Sequence, residues 1–217
     1  MNKSFTSIPA VQPGLIGEIP DLHAKRVVGN MVEFLEEASS LYTARMTEAM
    51  LRPIGGNPKS QQRWADRVTK AATPILLDFA TSWGKRAKFS SIISVWTPDQ
   101  WGGATVWMFF TYSDGPGTQT RKSGPLWRFS QHALVRLVQR SGATNAVRLL
   151  LAMRKVAASV GDGMMNSALK PGDGQILYLK FEGGIAVVEW PGDSDVAVVK
   201  TVLRPDMALP GLGGPRP

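Results

Sequence analysis

Hydrophobic and polar positions change their period along this chain. From Asp21, the residues Val28, Met31, Val32, Leu35, Ala38, Leu41, Tyr42, Met46 and Met50 recur at three- and four-residue steps, the spacing of one helical face. Glu36, Glu37, Arg45 and Glu48 fall outside that stripe. Pro53 and the Gly55–Pro58 cluster predict its end, because proline lacks an amide proton and glycine favours turns. A second helix is predicted from Ser60, as its N-cap, to Trp83, with a kink or break at Pro74. The pattern then alternates. Phe89 to Trp96 and Ala104 to Tyr112 read as a hairpin around the turn at 98–103. Ser113 to Pro125 reads as a Gly/Pro/Ser/Thr-rich loop holding Arg121 and Lys122, and Leu126 to Phe129 as a short strand.

Ser130 is positioned to cap a helix running to Gln139 or Arg140, with a break near Gly142. Thr144 or Asn145 starts the next, to about Val160. Three strands follow, Gln175–Phe181, Ile185–Trp190 and Val196–Leu203, joined by tight turns into an antiparallel meander. The predicted class is α+β: an N-terminal helical layer and an antiparallel sheet of about five strands with two helices packed on it. The implied division is a flexible arm over 1–20, a helical region over 21–84, an α+β domain over 85–206 and a disordered tail over 207–217.

Composition narrows the chemistry. The 217 residues are 43% hydrophobic and 19% charged, enough apolar material for a core. No apolar run reaches the ~18 residues that span a bilayer, and Pro9 and Pro13 interrupt the place of a signal peptide's apolar stretch. The expected location is cytoplasmic, or delivered as an effector. Cysteine is absent and histidine is limited to His23 and His132, which argues against thiolate chemistry and histidine-rich metal centres. No cofactor is expected.

The net charge of +8 is uneven: residues 61–160 carry fourteen basic and four acidic side chains, while the flanking stretches are neutral or slightly acidic. Such a field attracts polyanions by Coulomb forces and counterion release, and the same charge also suits a merely solvated surface. Within it, Trp127 to Arg140 forms an amphipathic helix start. Ala133, Leu134, Leu137 and Val138 make the buried face at about 100° per residue, with His132, Arg136, Gln139 and Arg140 on the opposite arc. His132, Arg136 and Arg140 stand at i, i+4 and i+8, so their heads follow one stripe. An imidazole beside two permanent cations suits phosphodiester chemistry: guanidinium groups clamp phosphate, and the positive surroundings favour the neutral imidazole that acts as a base. A solvated helix face would have the same spacing.

The pattern F-S-x-H-A-L-x-R-L-x-x-R-S-G at Phe129–Gly142 resembles the start of small bacterial toxin-like domains, in which such a helix is followed by a second helix and a three-stranded meander ending in a threonine-bearing strand. BrnT-type ribonuclease toxins and the wider barnase, EndoU, colicin and RelE-like fold look similar. The resemblance covers residues 127–206 at most. It implies metal-independent RNA cleavage by 2′-hydroxyl attack, with His132 as base or acid, Arg136 and Arg140 as phosphate clamp and Thr201 as a sheet-borne donor. Lys200 is its neighbour, and strict alternation turns it away from the Thr201 face. One departure is the loop Gly161–Gly174, longer and more glycine-rich than such compact toxins need.

Arg128, Arg121, Lys122, Tyr178 and Lys180 complete the candidate substrate-binding set, with Tyr178 and Lys180 equally suited to the solvent face of a half-buried sheet. The implied partners are RNA or another polyanion and an inhibitor protein over the basic cleft. Two other readings use the same residues: a non-catalytic module binding nucleic acid or protein, and a structural protein of a phage or mobile element. Seven tryptophans fit core anchors better than base-stacking platforms. Gly115–Gly117 and Gly161–Gly163 lack the context of phosphate-binding loops.

Overall fold

The computed structural model describes residues 19–52, 54, 57–83, 89–115, 118–166, 174, 176–191 and 196–206; the expected arm up to Glu18 and the tail from 207 onward lie outside them. The class is α+β, as the pattern predicts, with four helices among the described residues: α1 (Asp21–Leu51), α2 (Pro58–Ala72), α3 (Gln131–Ser141) and α4 (Ala146–Asn166). The sheet has seven strands where about five are expected: β1 (Leu76–Trp83), β2 (Phe89–Pro98), β3 (Ala104–Gly115), β4 (Thr118–Phe129), β5 (Ile176–Phe181), β6 (Gly184–Glu189) and β7 (Ala197–Leu203). Their order is β1-β2-β3-β4-β7-β6-β5. All neighbours are antiparallel except β4 and β7, which run parallel, so the sheet is mixed.

Two stretches depart from the expectation: β1 is new, and β4 extends the short strand expected at Leu126–Phe129 back to Thr118. The second helix stops at Ala72 instead of continuing to Trp83, and its cap is Asn57, whose Oδ1 accepts from the Ser60 amide at 2.9 Å. Pro74 cannot donate into a continuing helix, and the chain turns there. Residues 76–83 then pair with β2 as the sheet's edge. The stretch expected as a loop around Arg121 and Lys122 is the body of β4, paired with β3 nearly throughout. Its composition disguises it. Pro125 is tolerated because β7 pairs only with 127–129, which leaves that part of β4 an edge, and because a register shift falls beside Trp107, its partner.

One buried cluster unites these elements, crossing the boundary expected near residue 84. It runs from Val28, Met31 and Leu35 of α1 through Ile93, Trp96 and Trp127 to Leu134, Met153 and Val199. At its centre Trp96, Trp127 and Phe129 meet with ring centroids 5.4–5.9 Å apart, Trp96 and Trp127 edge to face at 89°. Helix α1 lies against α2, α3, α4 and β2. Its C-terminal end is held by Arg121 of β4, which donates to the Met50 carbonyl at 2.6 Å. Among the described residues no helix is long and apolar enough to cross a membrane.

Glycine positions give a direct check on this packing. A methyl group on Gly103 would lie 2.1 Å from the Phe129 carbonyl oxygen, whereas at Gly29 and Gly161, both helical, nothing lies within 4 Å. Gly29→Ala and Gly161→Ala are each expected to stabilise the protein by about 0.5–1 kcal/mol. Gly103→Ala should cost roughly 1–3 kcal/mol. Urea denaturation of the three variants measures both signs.

Candidate functional site

Helix α3 is fixed at both ends by its own sequence. The Ser130 hydroxyl accepts from the Ala133 amide at 3.1 Å, capping the helix, and donates to the Lys200 carbonyl at 3.0 Å. The Ser130 amide also donates to the Val199 carbonyl at 3.0 Å. At the other end Gly142 takes φ 67° and its amide donates to the Val138 carbonyl at 3.1 Å, a left-handed cap that glycine adopts without strain. Helix α4 extends to Asn166, so the first part of the expected 161–174 loop is helical. The helix carrying His132 and the strand carrying Thr201 therefore meet, through Ser130.

The stripe predicted on α3 is present. His132 is exposed, Arg136 and Arg140 are half-buried, and Ala133, Leu134, Leu137 and Val138 are buried. It is narrower than the helical wheel implies. Gln139, placed on the polar arc, is buried because α1 and α4 both pack against α3, and its Oε1 accepts from Arg136 Nη1 at 2.9 Å.

The two ends of the stripe face different surroundings. His132 and Arg136 lie near Asp21 at the start of α1. There the Asp21 carboxyl is held below its ordinary value chiefly by its hydrogen bond to Lys25, at 2.7 Å; slight burial opposes this, and the charges of Lys25, Arg136 and His132 add to it. Arg140, eight residues from His132 and so roughly 12 Å along the axis, lines a separate cleft of about 560 Å³. Arg148 and Lys155 of α4 share it over an apolar floor that includes Leu137, Leu151 and Phe181. The one acidic residue lining it, among those described, is Glu182, paired with Lys155 at 2.6 Å. Arg148 and Lys155 were not singled out from sequence, although their i, i+7 spacing around Leu151 places them on one helical face.

Thr201 is not part of this surface. Val187 pairs with Thr201 and Val188 with Val199, so Lys200 is an extra residue in β7. Val199 and Val202 belong to the core beneath the helices, and Thr201 takes the opposite face of the sheet. Lys200 does not turn away from Thr201, as strict alternation predicts. Its ammonium pairs at 2.8 Å with Glu189, which lies two residues from Val187 on the Thr201 face. Tyr178 and Lys180 share that face through their partners Val187 and Ile185, Tyr178 half-buried and Lys180 exposed.

The basic substrate-binding candidates are also dispersed. Arg128 pairs with the nearly buried Asp99 at 3.0 Å and stacks 4.1 Å above the Trp101 ring, locking the β2–β3 turn. Arg121 holds the end of α1, and Lys122 is exposed on β4. No group of three or more His, Asp or Glu side chains among the described residues gathers as a metal site would.

Two outcomes follow from this geometry. Ser130→Ala loses the cap and the hydroxyl's bond to the Lys200 carbonyl together, keeping the backbone bond to Val199, and should cost about 1–2 kcal/mol in urea unfolding, with Ser130→Thr recovering most of it. For Asp21, the lowered folded value means that its stabilising contribution is full above the ordinary 3.8 and fades as pH falls through the folded value. Asp21→Asn should therefore flatten the acid limb of the stability–pH curve and leave the neutral region's slope unchanged.

Compared with known proteins, the chain matches no protein family, no curated protein and no solved structure.

Proposed function

We propose that this protein binds a single-stranded polyanion, RNA in the first instance, along α3 and into the cleft between α3, α4 and the β5–β6 turn. The observation that carries the reading is the confluence of Arg140, Arg148 and Lys155 around one cleft, Arg140 being also the last member of the His132–Arg136–Arg140 series on α3. Guanidinium groups bind phosphate oxygens in pairs, and successive members of the stripe sit one helical turn apart, so a phosphate chain meets several cations at once. The half-buried Phe181 and the aliphatic floor offer a face for an unstacked base. An inhibitor protein seated over the same cleft would compete for these cations.

The test is a salt titration of binding to a fluorescent oligouridylate. Arg140→Ala with Arg148→Ala should weaken binding at least tenfold at low salt and reduce the slope of log K against log salt by about 1.4, or ~0.7 per lost phosphate contact. His132→Ala should change affinity by less than about threefold. Unaltered affinity and slope in the double variant would defeat the proposal.

A second reading, RNA cleavage with His132 as base or acid, draws support from the Ser130 bonds that place the first turn of α3 against β7. In it His132 and Arg136 do the work, and Thr201, on the reverse face, drops out. Loss of oligoribonucleotide cleavage in His132→Ala, with binding retained, distinguishes it from binding alone.

A further inference from the structure

A second cleft lies on the other side of α4. Phe34 of α1, Pro74 of the α2–β1 turn, Leu76 of β1, Trp96 of β2, and Val147, Leu150 and Leu151 of α4 line about 270 Å³, with Arg154 among its lining residues. Three of these apolar residues are open to solvent: Phe34 at 37%, Val147 at 68% and Leu151 at 54%. Isolated exposed hydrophobes need no explanation, but these gather on one concavity. Its volume exceeds the roughly 150 Å³ in which an apolar cavity accommodates benzene.

Trp96 forms part of the wall and is 1% exposed, so its ring adjoins the cleft without offering it an accessible donor. One polar side chain gives this cleft a chemistry. Arg154 is held in place because its Nη2 donates to the Leu76 carbonyl, which leaves other guanidinium N–H groups for a second acceptor. Among the described residues lining the cleft none is acidic. The first turn of α4, at Ala146 and Val147, adds the positive end of its helix dipole.

We propose that this cleft binds a small apolar carboxylate, an aryl or short alkyl acid. The apolar walls take the body and the negative charge answers Arg154. An uncharged hydrocarbon would satisfy only the walls. This site is independent of the polyanion cleft: the two share only Leu151, and Arg154 lies between the apolar cleft and a third one lined by Asp78 and Asp162.

The test uses trans-cinnamate and its neutral counterpart cinnamamide, followed through the indole ¹H–¹⁵N resonances of the full chain. The Trp96 signal is the one lost in Trp96→Phe; should that variant fail to fold, through-space contacts to the Val147 and Leu150 methyl groups assign it instead. Cinnamate should shift this resonance saturably and leave the remote indoles in place. Arg154→Gln should weaken cinnamate about tenfold and alter cinnamamide by less than about twofold, as expected for loss of a charge-assisted contact. Val147→Trp, at the exposed mouth, should abolish binding of both with Tm unchanged. Absence of a saturable Trp96 shift at millimolar cinnamate would overturn the site, as would undiminished binding in Val147→Trp. Equal affinity for cinnamate and cinnamamide in the wild-type chain would overturn the assignment to a carboxylate.

Discussion

The short parallel contact between β4 and β7 is the joint on which the molecule depends. Among the described residues only Trp127, Arg128 and Phe129 pair with Ala197, Val198 and Val199, and this contact ties the β1–β4 meander to the β5–β7 meander within the sheet. The backbone pairing is brief, so side chains must secure it. Trp127 and Phe129 project from the joint into the aromatic cluster with Trp96, and Ala197 and Val199 enter the same core. Aromatic burial on this scale dominates the local energetics. Ser130 extends the joint by one residue and converts it into the start of α3.

That joint also determines where charge is displayed. Because β4 passes directly into α3, the His132–Arg136–Arg140 stripe lies on the helical side of the sheet, while Arg128, Lys200, Tyr178 and Lys180 take the other. Several cations in the basic middle of the sequence are committed to architecture: Arg128 to Asp99, Arg121 to the end of α1 and Arg154 to the β1 strand. A guanidinium can satisfy an otherwise orphaned carbonyl and still present further donors, which makes arginine useful in both roles. The +10 excess of residues 61–160 is thus partly internal bracing, and the cations facing a common cleft are fewer than the count suggests.

Much of the fold is legible locally. The α1 periodicity, the Ser130 cap, the Gly142 stop and the C-terminal meander all read correctly, since each depends on near neighbours along the chain. The failures are at β1 and β4. The β1 stretch follows a helix without a clear stop other than Pro74, and most of β4 is polar, so their strand geometry is settled by pairing with β2 and β3. The same division runs through the candidate site. The stripe on α3 is a property of one helix and could be drawn on a wheel, whereas the cleft joining Arg140 to Arg148 and Lys155 needs two helices and a turn.

The amino-acid sequence by itself determined α1, the two caps of α3, the start of α4, the class of the fold and the alignment of His132, Arg136 and Arg140. Only the tertiary structure decided that β4 and β7 run parallel, that an extra residue in β7 puts Lys200 and Thr201 on the same face, and that this face is turned from α3. Periodicity reports the repeat of a single element. Register, bulges and the facing of a sheet come from hydrogen bonds between segments far apart in the chain, and a pattern of period 2 cannot reveal where one residue has been inserted.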